Sequence, residues 1–282
     1  MSDERGGNLL KKKSFRTRVI TGAALVVGIV LVFVIGYDLM LIMLGLLSLV
    51  GVFEFNLAFD MHFKAPGIIA YVTTAAHFVC LRFVESKYII LVYAIAMICY
   101  LAYMVFSFPK YDLKNIFASF FSIFYVGVSL SFLYLLRIHP PSGAYLVWLV
   151  VISSWGCDTF AYLFGMLFGK HQLVPKLSPK KSVEGSVGGM LGAIIIAVVY
   201  GLIVQRFIPD IEHAPWVFAV LTLIGSFVSQ IGDLAASAIK RMAGIKDYGK
   251  IFPGHGGVLD RFDSMILVSP VMYIITIYAV MV

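Results

Sequence analysis

The sequence predicts an all-α polytopic membrane protein of about nine transmembrane helices, with the N-terminus cytoplasmic and the C-terminus outside. Three observations predict it. The 282-residue chain is 61% hydrophobic, only 13% charged and carries 23 Phe, and its mean hydropathy of +0.95 lies outside the range of soluble domains. Apolar runs follow one another along the chain, each near the roughly 20 residues that a bilayer core requires. Lys and Arg are concentrated on alternate connections.

The expected spans cover residues 19–37, 39–59, 67–83, 88–108, 116–136, 144–168, 187–205, 216–239 and 258–282. Lys11, Lys12, Lys13, Arg16 and Arg18 precede the first, as they would a signal peptide. Its apolar run is longer than a signal core and no small-residue cleavage site follows, so it reads as a span. Cys80, Cys99 and Cys157 fall in different spans without C-x-x-C spacing and are expected to pack as small apolar groups, not to form disulfides or bind zinc. Nine spans put 18 of the 22 Lys and Arg on the N-terminal side and four, Arg82, Lys87, Arg137 and Arg206, on the other. Basic residues stay cytoplasmic, so the net charge of +7 lies on the cytoplasmic face, where it favours anionic headgroups or a soluble anion. The chain then divides into residues 1–136, five helices behind a basic leader, and 137–282, four helices with cytoplasmic substrate loops.

The sixth connection, "GKHQLVPKLSPKKSVEGSVGG", sets Lys176, Ser178, Lys180, Lys181 and Ser182 ahead of the seventh helix. Lysines and hydroxyls at a helix N-terminus favour a phosphate, because free N–H groups and the helix dipole point at it. Gly185, Gly188, Gly189 and Gly192 recur at the spacing of close helix packing, and no Walker pattern is present. In the eighth span Ser226, Gln230, Asp233, Ser237 and Lys240 share one helical face. Asp233 lies about 10 Å and Asp158 about 16 Å inside the helix ends at 1.5 Å per residue. A carboxylate at such depth costs several kcal/mol unless paired or bound to a cation. For Asp158 the residues leave two readings, a hydrogen-bonded packing residue or a functional one.

The ninth span opens with "GHGGVLDRFDS". Asp260 and Asp263, at i and i+3, share a face, and two such carboxylates repel unless a cation lies between them. With Asp233 as a third ligand, an all-oxygen set selects Mg²⁺ or a similar hard ion, and a second cation is compatible with it. Lys240, Arg241, Lys246, Lys250 and Arg261 bring more positive charge than these carboxylates need, which describes a polyphosphate site. His255 reads equally as a pyrophosphate donor or as a residue holding the turn, and Asp247 as a partner of a nearby lysine. Glu54, Asn56 and Asp60 read as interface anchors. His62, His77, His139, His171 and His213 are isolated and read as structural or solvated.

These residues carry a resemblance. The run "SAIKRMAGIKDYGKIFPGHGGVLDRFD" resembles the signature of the phosphatidate cytidylyltransferase (CDP-diacylglycerol synthase) family, with Ser237, Lys240, Arg241, Lys246, Asp247, Pro253, His255, Gly256, Gly257, Asp260, Arg261 and Asp263 at its fixed positions. "SPKKSVEGSVGG" is similar too, with Ser182 where the family usually has Thr. The resemblance implies a reaction of CTP with phosphatidic acid, giving CDP-diacylglycerol and pyrophosphate with Mg²⁺ required. It implies an enzyme integral to a bacterial plasma membrane, its site facing the cytoplasm, compatible with a homodimer and with no nucleic-acid partner. Asp233, Lys240, Asp260, Arg261 and Asp263 would be catalytic, the three aspartates binding metal. Lys176, Ser178, Lys180, Lys181, Ser182, Ser237, Arg241, Lys246, His255 and Asp158 would bind substrate. A CTP-dependent polyprenol kinase shares the substrate logic but would not carry the full signature. A secondary transporter would predict an inverted repeat, and the first half has no counterpart of Asp233 or Asp260.

Overall fold

The computed structural model describes residues 20–110, 112–252 and 256–280. The basic leader, Pro253, Gly254 and His255 lie outside the described residues. Helix α1 (Ile20–Ile35) meets α2 (Tyr37–Ala58) across the single residue Gly36. Gly36 and Tyr37 both have positive φ, 67° and 45°, so the first helix stops two residues before the expected end. Then come α3 (Ala65–Phe83), with Pro66 in its first turn, and α4 (Ile89–Ser107). Helices α5 (Leu113–Ile138) and α6 (Gly143–Phe168) are each interrupted by a π-helical turn, Ile123–Val128 in α5 and Ile152–Gly156 in α6.

The sixth connection forms a short antiparallel hairpin of β1 (Gln172–Val174) and β2 (Ser178–Ser182), pairing Gln172 with Ser182 and Val174 with Ser178. It leads directly into α7 (Val183–Val204). Helices α8 (Ala214–Met242) and α9 (Leu259–Val280) complete the chain. Among the described residues, α2 to α9 are long and apolar enough to cross a membrane and α1 is a shorter apolar helix. The protein is an all-α polytopic membrane protein, as the sequence predicts. Helices suit the bilayer because each satisfies its own backbone groups.

One apolar core runs through both halves of the chain, with Phe33, Phe55, Leu133, Leu149, Phe218 and Ile266 in a single buried cluster. Buried hydrogen bonds tie α2, α3, α4 and α5 together. Asn56 Nδ2 donates to Ser122 Oγ at 3.1 Å, and Tyr100 Oη donates to the Pro66 carbonyl at 2.7 Å. His77 is not isolated: its ring nitrogens meet Ser131 Oγ at 2.9 Å and Tyr93 Oη at 2.7 Å, linking α3, α4 and α5. His171 is not isolated either, since Nδ1 lies 2.6 Å from Glu184 Oε1. The three cysteines are free thiols.

The glycine face of α7 packs backbone to backbone on α6, as its spacing predicts. A Cβ added at Gly189 would lie 2.7 Å from the Cys157 carbonyl oxygen and 2.8 Å from Ala161 Cβ. Such overpacking costs about 1–3 kcal/mol, more than the roughly 1 kcal/mol that Ala gains over Gly in a helix. Gly189→Ala is therefore expected to lower the thermal unfolding temperature in detergent. Gly28→Ala, with no atom within 4 Å of the added carbon, should raise it slightly. Equal shifts for the two would sink this account of the α6–α7 contact.

Candidate active site

The site is organised around the segment between α8 and α9. Asp260, in the first turn of α9, accepts from Lys240 Nζ at 2.9 Å, from Tyr248 N at 2.8 Å and from Gly257 N at 3.0 Å. Its side chain is 3% exposed. The chain can reach it because Gly256 takes φ 87°, where a side chain would be strained and would press on the carboxylate. Tyr248 is buried, donates its hydroxyl to the Ala236 carbonyl at 3.3 Å and lies under the Lys240 ammonium at 5.5 Å. Lys240, Tyr248 and Asp260 thus hold the described parts of the segment, around Tyr248 and Gly257, against the end of α8.

Glu54 of α2 closes the same segment from the opposite side. It is 2% exposed, and its two oxygens accept from Val258 N at 3.1 Å and Leu259 N at 2.9 Å. These are unsatisfied donors at the start of α9, and a carboxylate there also meets the positive end of the helix dipole. A Cβ at Gly257 would lie 2.3 Å from Glu54 Oε1, so the loop must be glycine to approach this closely. Glu54 is therefore no interface anchor. The expectation failed because the partner lies 204 residues away in sequence and consists of backbone. Asp60 is an exposed ion-pair partner of Lys64 at 2.7 Å, and Lys64 holds its carboxyl below the usual range.

Asp263, one turn further into α9, faces Asp233 of α8 and Asp158 of α6, and the three carboxylates act on one another electrostatically. Asp158 lies two residues beyond the π-helical turn of α6, and Trp155 in that turn donates Nε1 to the Arg261 carbonyl at 3.1 Å. Lys181 of β2 reaches across to ion-pair with Asp233. Gln230 fixes the spacing of α7 and α8 by donating to the Ser186 carbonyl at 3.0 Å and accepting from the Ser186 hydroxyl. Arg261 lies within electrostatic reach of Asp158, and its buried Nε has no protein partner among the described residues.

A cavity of about 440 Å³ opens beside this cluster. Asp158, Tyr162 and Met166 line it along one face of α6, and Ser178, Lys180, Lys181, Ser182, Gln230 and Asp233 supply its polar wall. Ser182 also caps α7, accepting from Gly185 N at 3.1 Å. The structure thus gathers Asp158, Ser178, Lys180, Lys181, Ser182 and Asp233 at one cavity, with Lys240, Asp260, Arg261 and Asp263 adjoining through the α8–α9 segment. Ser237 is half-buried on α8, one turn before Lys240. Lys176, Arg241 and Lys246 are exposed, and Lys176 stands in the hairpin turn away from the cavity lining. His255 lies outside the described residues.

The donor set fits a hard cation in its chemistry. All three facing carboxylates are oxygen ligands, and of these only Asp233 holds an ion pair among the described residues. As they stand, no three His, Cys, Asp or Glu side chains among the described residues are close enough to share one ion. Asp260 differs from Asp233 and Asp263 in spending its oxygens on Lys240 and two backbone donors. Asp158, left open between two readings from the sequence, belongs with the facing carboxylates.

Residues 16–279 match the model of the cytidylyltransferase family. The phosphatidate cytidylyltransferase of Staphylococcus saprophyticus is 34% identical over 184 residues. Those of Staphylococcus haemolyticus and Staphylococcus aureus are 33% identical over 177 and 184 residues. Each alignment takes in 63% of this chain and 65% of the relative, so the chain spans just under two thirds of the length of the curated relatives it matches.

The Glu54 clamp makes a direct prediction. Glu54→Ala strands two buried donors at the start of α9, at a cost of about 1–3 kcal/mol each, and should speed hydrogen–deuterium exchange in the segment around Val258 and Leu259. Glu54→Gln keeps one acceptor oxygen and should fall between. Unchanged exchange in Glu54→Ala would refute the clamp.

Proposed function

The chain belongs to the cytidylyltransferase family, and from that premise we propose that it transfers the cytidylyl group of CTP to phosphatidic acid, forming CDP-diacylglycerol and pyrophosphate. The curated relatives carry the name of that activity. The observation that carries the reading is the cavity, whose wall is charged at Asp158, Lys180, Lys181 and Asp233 and apolar at Tyr162, Met166 and Leu173. Tyr162 and Met166 are 68% and 60% exposed on an apolar surface. An acyl chain can lie along them while a phosphate meets the lysines. A wholly soluble pair of substrates would not need that apolar approach.

In this reaction an oxygen of the lipid phosphate forms a bond to the α-phosphorus of CTP, and the bond to the β-phosphate oxygen breaks to release pyrophosphate. The attacking phosphomonoester has a second pKa near ~6 and is largely dianionic at neutral pH, so no strong general base is required. The task of the chain is to hold two anions together in line. Lys180, Lys181 and Arg261 would offset the phosphate charge, with Ser178 and Ser182 donating from the mouth of α7. Lys181 is neutralised by Asp233 in the structure, and its transfer to an incoming phosphate would free that carboxylate.

Asp233, Asp263 and Asp158 are the residues that would hold Mg²⁺, with room in the chemistry for a second cation. Bound there, the ion would offset charge on the departing pyrophosphate. Lys240 and Asp260 would keep the loop and Arg261 in register. The site would face the cytoplasm, by the distribution of basic residues, and a homodimer is compatible with this arrangement.

Purified protein in detergent should release pyrophosphate from CTP only with both phosphatidic acid and Mg²⁺, and chelation should stop it reversibly. Asp263→Asn should cut turnover by about 100-fold or more with no loss of thermal stability, since it relieves crowded charge. Asp260→Asn should lose stability as well, because it breaks a buried ion pair. Release of CDP in place of pyrophosphate would move the reading to a lipid kinase. No turnover by well-folded wild type, across chain lengths and nucleotides, would overturn it.

A further inference from the structure

One buried polar group within electrostatic reach of the carboxylates has no hydrogen-bond partner among the described residues. Tyr125 sits in the π-helical turn of α5 and is 6% exposed, yet its hydroxyl has no hydrogen-bond partner among the described residues. Its ring is held firmly, stacked on Phe121 at 5.3 Å and packed on Phe55 at 5.8 Å. Phe55 in turn stacks on Tyr248 at 6.2 Å, the residue that pins the α8–α9 segment. Beside it, Val126 lies against Gly51 of α2, as does Leu259 at the start of α9. So placed, the hydroxyl lies within electrostatic reach of Asp263 and Asp233.

A buried hydroxyl without a partner costs about 1–3 kcal/mol by the mutational scale, and a phenylalanine would fill the same space without that penalty. Buried polar groups are nearly always satisfied, so the missing partner is expected to be a molecule that enters. Chemistry narrows what it is. A phenol at neutral pH is a hydrogen-bond donor, and within electrostatic reach of two carboxylates it lies near a place where cations gather and phosphates follow them. We infer that the Tyr125 hydroxyl is a substrate-contacting group that donates a hydrogen bond to a phosphate oxygen bound at the Asp233–Asp263 cluster. This rests on the phosphoryl chemistry proposed above. It also gives the first five helices a direct part in the site, through a residue outside every motif of the sequence.

The test is Tyr125→Phe, which removes one oxygen and leaves the stacked ring. Three quantities are measured in detergent: the unfolding temperature without ligand, its rise on adding CTP and Mg²⁺, and steady-state pyrophosphate release. The ligand-free unfolding temperature should stay the same or rise, while kcat/KM falls about 10- to 100-fold, the worth of a hydrogen bond to a charged group. If the rise with CTP and Mg²⁺ shrinks as well, the oxygen belongs to the nucleotide. If that rise is kept and KM for phosphatidic acid climbs, it belongs to the lipid. A drop in the ligand-free unfolding temperature would reveal a protein partner for the hydroxyl and overturn the inference, as would kcat/KM within twofold of an active wild type. An inactive wild type that is still stabilised by CTP and Mg²⁺ would defeat the proposed reaction alone, and the hydroxyl would then stand or fall on whether the variant loses that stabilisation.

Discussion

Two buried carboxylates hold the start of α9, and the site depends on them. Glu54 takes the backbone donors of Val258 and Leu259, and Asp260 takes those of Tyr248 and Gly257 together with the Lys240 ammonium. A loop in a low-dielectric setting cannot leave its N–H groups unpaired, so these four amides had to find acceptors. Charged acceptors are the stronger choice, because the bond is charge-assisted and the helix dipole adds to it. The result is a short, fixed segment. Arg261 and Asp263 follow it in the first turns of α9, so the clamp fixes the start of the helix that carries them.

That clamp resolves how a chain with so little charge can crowd acids together. Asp158, Asp233 and Asp263 come from three different helices, and their mutual repulsion must be offset by packing elsewhere. Gly189 and its neighbours bring α7 against α6, Gln230 ties α7 to α8, and the Glu54–Asp260 pair fixes α9. Each tie joins one helix to another, so the carboxylates are held within electrostatic reach of each other in a medium where fixed charges act with little screening.

Much of this was legible in the sequence, for physical reasons. Hydropathy gave the spans because bilayer thickness sets their length, and the charged positions in α8 and the α9 entry stood out because ionisable groups are so costly there. The helical spacing of Asp233 and Lys240 and the glycine face of α7 depend on local periodicity, which one sequence displays. Glu54 was not legible, because its acceptors' partners are backbone amides of a loop 204 residues away. The i, i+3 spacing of Asp260 and Asp263 correctly put them on neighbouring parts of one face. It carried no information about which would be consumed by the loop, since that depends on the positive φ of Gly256 and the return of Tyr248. The grouping of Asp158 with the acids depended on a tertiary contact in the same way.

The two π-helical turns explain why the unpatterned half of the chain matters at all. A π turn inserts an extra residue into a helix and rotates everything beyond it relative to a regular register. In α6 the turn at Ile152–Gly156 ends two residues before Asp158, and in α5 the turn at Ile123–Val128 contains Tyr125 itself. A straight α5 would present its side chains in a different register, and the stack of Phe121, Tyr125, Phe55 and Tyr248 could not form with the same partners. Through that stack and Glu54, α2 and α5 grip the loop from below while Lys240 and Asp260 hold it from α8 and α9. Helices α2 and α5, in the half of the chain marked chiefly by its hydropathy, thus support the entry to α9.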